Sequence, residues 1–219
     1  MGVFDIIGPV MVGPSSSHTA GAVRIGQMAA LVFNNRVKSI EVEFHGSFAC
    51  TYKGHGTDRA IIGGILGMSP DDEQIISSLE TARKRDILFK FSKVDLGDVH
   101  PNSVRIILGN EKKNLSLIGS SVGGGDIVIS KINEYDVNLK GKLPTLWVLH
   151  QDKLGEIAAI TSFIEKEEIN IAFMRVFRKD KGGLASSIIE LDQKIDENRI
   201  GILEKHNGII KVRVIPSLL

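Results

Sequence analysis

The stretch Gly13-Pro14-Ser15-Ser16-Ser17-His18-Thr19-Ala20-Gly21 sets three hydroxyls, an imidazole and a fourth hydroxyl directly before an apolar run of helical spacing. The first turn of a helix carries unpaired N–H groups and a partial positive charge, which suit a carboxylate or a phosphate. Gly13 and Pro14 stiffen the approach, while Gly21 and Gly26 let a ligand or another backbone come near. Capping the helix needs only one serine. The addition of His18, Thr19, Ala20 and Gly21 favours an anion site over a plain cap.

Three further stretches carry reactive types. His45-Gly46-Ser47-Phe48-Ala49 is followed by Lys53-Gly54-His55-Gly56-Thr57-Asp58-Arg59-Ala60. A strand ending at Phe44 and a helix starting near Asp58 place His45 and His55 in connecting loops, with Thr57 or Asp58 capping the helix. An imidazole between two glycines has no evident packing role and titrates near neutrality, as a general acid or base must. His100-Pro101-Asn102 precedes a strand at Val104, with Pro101 fixing the turn and Asn102 offering donor and acceptor. Ser120-Ser121-Val122-Gly123-Gly124-Gly125 lies between two strands, where successive glycine N–H groups could cradle an anion. Four such motifs within about 140 residues argue for one shared site.

Other chemistries fit less well. His18, His45, His55, Asp58 and His100 are of metal-ligating type, but no His-x-x-x-His or Cys-x-x-Cys spacing supports a metal centre. The Gly-x-Ser-x-Gly elbow of a serine nucleophile is missing, and no lysine stands out as a Schiff-base former. Arg83-Lys84-Arg85 is a solvated helix end.

The elements that must hold these motifs fall into two units joined at Lys140-Gly141-Lys142-Leu143-Pro144-Thr145, giving domains 1–143 and 144–219. In the first, the spacing of Ala22, Ile25, Gly26, Ala29, Val32 and Phe33 predicts a helix over about 19–34. Strands are expected over 40–44, 88–91, 104–108, 115–118 and 127–132, and helices over 58–66 and 70–84, in an order the pattern leaves open. Beyond Pro144, strand signals over 146–149, 169–177, 184–191 and 209–215 alternate with helices over 155–166 and 196–205. That is β-α-β-β-α-β, the ferredoxin-like plan. The fold class is therefore mixed α/β (α+β).

Composition bounds the rest. The 219 residues carry 27 basic and 26 acidic groups, balanced in both halves, which gives no basic surface for nucleic acid or an anionic membrane. No apolar run approaches the roughly 20 residues of a membrane span, and no charged-then-apolar N-terminus looks like a signal peptide, so a soluble, cytoplasmic protein is expected. Cys50 is the single cysteine, so this chain alone makes neither an intrachain disulfide nor a thiolate-held cluster.

Taken in order, the four motifs and the β-α-β-β-α-β unit resemble the β chain of bacterial iron–sulfur L-serine dehydratase over essentially the whole chain. The most specific matches are residues 8–21, Gly8-Pro9-Val10-Met11-Val12 continuing into the serine motif, and Gly54-His55-Gly56-Thr57-Asp58. Residues 1–143 are also similar to the allosteric substrate-binding domain of some phosphoglycerate dehydrogenases, and residues 144–219 to an ACT domain. The resemblance implies that Ser15, Ser16, Ser17, His18 and Thr19 bind a substrate carboxylate, that Ser121 lines the same site, and that His18, His55 and Asn102 are catalytic. It implies conversion of L-serine to pyruvate and ammonia together with an α chain whose cysteines hold a [4Fe-4S] cluster, and self-association through the ACT domain. The alternative is a non-catalytic, serine-sensing regulatory subunit. His150-Gln151-Asp152-Lys153-Leu154-Gly155 is similar to the serine-binding turn of some ACT domains, with Gln151 for Asn and Leu154 for Pro, which makes His150, Gln151 and Gly155 effector-binding candidates.

Overall fold

Ala22, Val23, Ile25, Met28, Ala29, Val32 and Phe33 recur along one stripe and are all buried, and they drive helix α1, Ala22–Phe33, in the computed structural model, which describes residues 10–218. Gly8 and Pro9 of the serine motif lie outside the described residues. The chain enters α1 through a π-type turn, Ser17–Gly21, in which the Gly21 N–H donates to the Ser16 carbonyl at 2.9 Å. Asn34 ends the helix in the left-handed conformation.

Strand β1, Ser39–Phe44, buries Ile40, Val42 and Phe44 and turns Glu41 and Glu43 to its other face, the period-2 pattern the sequence predicted. The next segment differs from expectation. Residues expected to be a loop form helix α2, Gly46–His55, and His55 is its last residue. Two glycines and one buried apolar side chain, Phe48, gave that helix almost no amphipathic signal. Gly56, at φ 69°, turns the chain from α2 directly into α3, Thr57–Ile65. Neither Thr57 nor Asp58 caps α3, which has no side-chain cap. A 3₁₀ turn, Glu73–Ser77, capped by Asp72, leads into α4, Ser78–Lys84.

Strand β2, Leu88–Lys93, pairs parallel to β1, and β3, Ser103–Gly109, pairs antiparallel on its other side. The chain continues through β4, Asn114–Gly123, and β5, Asp126–Ile132, and these five strands stand as β2-β1-β3-β4-β5 within a six-stranded sheet. Strand β4 runs five residues beyond the expected 115–118, so Ser120 and Ser121 sit within it as buried residues. Gly123, Gly124 and Gly125, all at positive φ, form the hairpin tip between β4 and β5.

Helices α1 and α3 lie unusually close. A Cβ placed on Gly64 would stand 2.0 Å from the Val23 carbonyl oxygen, and one on Gly26 would stand 2.3 Å from that of Ile61. Glycine at both positions lets the two backbones meet, which brings the start of α3 up to the π-type turn that precedes α1.

The chain divides into compact units at Asn133/Glu134, ahead of the expected boundary at Pro144. The difference is strand β6, Tyr135–Leu139, which had no sequence signal beyond buried Val137 and Leu139 and lies against the sheet of the second unit. That sheet contains β7, Thr145–Gln151; β8, Ile171–Arg178; β9, Leu184–Leu191; and β10, Ile209–Ile215. Helix α5, Glu156–Lys166, links β7 to β8. A turn capped by Asp196 and the short helix α6, Ile200–Glu204, link β9 to β10. All pairs are antiparallel in the order β10-β7-β9-β8, a ferredoxin-like sheet. Leu146, Val148, Ile160, Phe163, Ile189, Leu203 and Val212 form its core, each worth roughly 1.5–3 kcal/mol of burial.

Candidate functional site

The π-type turn positions the first group of side chains. His18 and Thr19 are buried within it, while Ser15, Ser16 and Ser17 are half-buried around its entrance. The Ser15 hydroxyl accepts a long hydrogen bond from the His18 backbone N–H (3.4 Å) and lies 3.2 Å from His18 Nδ1. If the hydroxyl proton goes to Nδ1, the ring carries its own proton on Nε2, which has no protein partner. Burial, and then the neighbouring His55, push the His18 pKa below the ordinary imidazole value. The ring is therefore a neutral donor near pH 7.

The α2–α3 turn brings up the second group. The His55 ring meets that of His18 edge-on at 4.6 Å, and Phe48 of α2 closes on His18 from another side at 5.1 Å. His55 is thus packed rather than loose in a loop, and its Nδ1 is buried without a partner. Thr57, two residues on, is fully buried and its hydroxyl has no partner. Burial also raises the pKa of Asp58, against the opposing pull of the Arg59 N–H and guanidinium.

Strand β4 supplies the third group. A Cβ on Gly21 would stand 2.1 Å from Ser121 Oγ, so the missing side chain at Gly21 is what admits Ser121 against the turn. The Ser121 hydroxyl is buried without a partner. Its backbone N–H donates to the Asn102 carbonyl at 2.9 Å, which ties Asn102 to the same edge of the site. Arg24 of α1 donates to the Gly125 carbonyl at 2.8 Å and so holds the hairpin tip against the helix.

Six buried side-chain polar atoms lack a hydrogen-bond partner among the described residues. Five of them are His18 Nε2, Thr19 Oγ1, His55 Nδ1, Thr57 Oγ1 and Ser121 Oγ, all carried by the π-type turn and the elements it touches, α2, α3 and β4. The sixth, Glu156 Oε2 in the second unit, is 3.2 Å from His206 Nδ1 in an ion pair. Leaving a buried polar group unbonded costs about 1–3 kcal/mol, so five such atoms on adjoining elements make this the candidate site for a polar ligand.

Other expected residues are bonded within the fold. His45 Nδ1 accepts from the Leu96 N–H at 3.1 Å and lies 3.6 Å from Asp95. His100, exposed, accepts the Asn102 N–H at 3.1 Å. In the second unit, His150 is buried with Nδ1 2.8 Å from the Gln151 carbonyl and Nε2 2.9 Å from Ser187 Oγ. Gln151 donates its N–H to Gly208, and Gly155 stands in the left-handed region at the head of α5 with open space beside it. Among the described residues no group of three His, Cys, Asp or Glu side chains could hold a metal ion, and no helix is long and apolar enough to cross a membrane. Sequence reasoning missed Thr57, which it took for a cap, and Phe48; the orphaned hydroxyl of Thr57 becomes visible only once its burial is known.

Residues 2–85 match the family described as serine dehydratase beta chain. The chain is 48% identical over 210 residues to a protein of Bacillus subtilis described as a probable L-serine dehydratase, beta chain, covering 96% of each. It is 39% identical over 200 residues to the L-serine dehydratase, beta chain, of Peptoniphilus asaccharolyticus, covering 89% of each. It is also 22% identical over 197 residues to the D-3-phosphoglycerate dehydrogenase of Bacillus subtilis, covering 89% of this chain and 37% of that enzyme. Full-length identity at the level of the first two, over a chain whose serine motif builds the cluster of unsatisfied donors, places this protein in the serine dehydratase β-chain family.

Proposed function

We propose that this chain supplies the substrate-carboxylate site for converting L-serine to pyruvate and ammonia, in complex with an α subunit. The observation that carries the reading is the cluster of five buried, unbonded polar atoms around the π-type turn. Ser15, Ser16, Ser17, the Nε2–H of neutral His18 and Thr19 are gathered at the entrance to α1, where donors and the helix N-terminus favour a carboxylate. Ser121 and Asn102 close the site from the sheet.

Dehydration of serine needs loss of a hydroxide-like group and removal of an unactivated Cα proton. A [4Fe-4S] cluster on the cysteines of a separate α chain would supply the Lewis acid for the leaving oxygen; this chain has only Cys50, and clusters of this kind need several thiolates. His55 and His18, 4.6 Å apart with one free nitrogen each, form the proton-handling pair of this chain. We also propose that copies of the chain associate through an open edge of the second unit's sheet, at β8 or β10. Sedimentation of the purified chain tests this, and a strict monomer refutes it.

The main test is anaerobic pyruvate formation by the purified chain, reconstituted with iron and sulfide, with and without a cysteine-rich serine dehydratase α chain. Activity is expected only with both. Pyruvate from the lone chain refutes the reading, and turnover by the α chain alone favours a serine-sensing regulatory subunit. In the complex, Ser17→Ala and His18→Ala each remove a charge-assisted hydrogen bond of roughly 1.5–3 kcal/mol, so kcat/KM should fall about tenfold or more. His55→Ala should lower kcat. Parent kinetics in all three variants would refute the carboxylate site.

A further inference from the structure

The turn between α2 and α3 carries two of the five unbonded atoms, His55 Nδ1 and Thr57 Oγ1, and only the histidine has a role so far. Thr57 is fully buried, is the first residue of α3, and follows the left-handed Gly56 without forming any cap hydrogen bond. A threonine in a helix usually returns its hydroxyl to a backbone carbonyl one turn back, and others here do so: Thr51 bonds the Ser47 carbonyl at 2.8 Å and Thr81 that of Ser77 at 3.2 Å. Position 57 has no preceding turn in its own helix, so its hydroxyl is buried without that option. Valine would fill the same space at no hydrogen-bonding cost. A hydroxyl held there, two residues from a histidine whose Nδ1 is in the same condition, is available to a ligand.

We propose that Thr57 is a specificity-determining residue whose hydroxyl, with His55 Nδ1, hydrogen-bonds the amino- and hydroxyl-bearing end of the amino-acid substrate, opposite the carboxylate held at Ser15 to Thr19. The inference rests on the function proposed above and extends it to the other end of the ligand. The division follows the elements that carry the free atoms: the π-type turn holds those of His18 and Thr19, the α2–α3 turn holds those of His55 and Thr57, and the two turns meet through the His18 and His55 rings. Substrates that lack a hydrogen-bonding group at that end would leave the site's buried polar atoms unpaired, which is the strongest form of discrimination a pocket can offer.

Thr57→Val and Thr57→Ser separate this role from a structural one. For the valine variant in the assembled enzyme, kcat/KM for L-serine is expected to fall about tenfold or more, because one hydrogen bond to the ligand is lost. The Tm of the chain on its own is expected to stay level or rise by up to about 4 °C, because an unpaired buried hydroxyl is removed. The serine variant keeps the hydroxyl and should retain kcat/KM within about threefold. A valine variant with parent kcat/KM overturns the proposal. So does a valine variant whose Tm falls by several degrees, since that would show the hydroxyl to be bonded within the fold. A parent complex that makes no pyruvate overturns the function proposed above and this extension with it, whereas failure of the valine variant alone leaves the carboxylate site standing.

Discussion

Gly21 is the residue through which the π-type turn and strand β4 touch, and Gly21→Ala tests whether that contact positions Ser121. The new methyl would stand 2.1 Å from Ser121 Oγ and 2.7 Å from Ser121 Cβ. Carbon atoms rest at roughly 3.5–4.0 Å, so the second overlap amounts to about 1 Å. Rotating the hydroxyl relieves the first overlap and leaves the second, so β4 must retreat or the turn must shift. Two energies oppose each other. Gly21 has helical backbone angles, and alanine there gains roughly 0.5–1 kcal/mol over glycine. Overpacking a filled interior costs about 1–3 kcal/mol. Overpacking wins by about 1 kcal/mol, which calorimetry should register as a Tm about 2–4 °C lower for a chain of this size. The activity change should be larger, since moving a site group by about 1 Å can cost about 100-fold in rate. Adding Ser121→Gly removes both overlapping atoms, so the double variant should regain most of the lost Tm while its kcat/KM for serine stays low. A Gly21→Ala variant with raised Tm and parent kcat/KM would refute the positioning argument, because it would show that the turn absorbs the methyl without moving Ser121.

Gly64→Ala should lower the urea midpoint of the chain by an amount equal to about 1–3 kcal/mol, because the added carbon meets the Val23 carbonyl at 2.0 Å and the Gln27 backbone nitrogen at 3.0 Å. Gly54→Ala, in α2 with open space around the new carbon, should instead stabilise by roughly 0.5–1 kcal/mol, and equal effects at the two positions would contradict the close α1–α3 packing. His18 should titrate below the ordinary imidazole value by NMR, and His55→Gln should move its midpoint up without restoring that value, since burial is the larger cause. The folded pKa lies below the unfolded one, so the unfolded chain takes up more protons and stability falls as pH drops from the unfolded value toward the folded one; a His18 midpoint unmoved by His55→Gln would remove the electrostatic coupling of the pair.

Strands β9 and β10 and the order β-α-β-β-α-β were legible because alternation, helical spacing and turn residues agree there, element by element. Helix α2 was not, because its fold is set from outside. Gly46, at φ 55°, sits under Pro101, whose carbonyl accepts the Ser47 N–H at 2.8 Å, and only Phe48 faces the core. A helix held by a loop some 50 residues away leaves little trace in its own periodicity. The site divides in the same way. The polar residues were legible by type, since hydroxyls and imidazoles beside glycine are uncommon in a packed core. Their partnerships were not, because His18 meets His55 and Gly21 meets Ser121 across intervals that no local pattern spans. Gly21, Gly26 and Gly64 have a common role that explains both results. Each removes a Cβ where two backbones, or a backbone and a strand residue, must close, and so each sets where a hydroxyl or imidazole arrives without taking part in chemistry. The spacing of the site is therefore controlled by residues with no side chain, and variants at these three glycines should disturb substrate binding as much as the loss of a serine hydroxyl does.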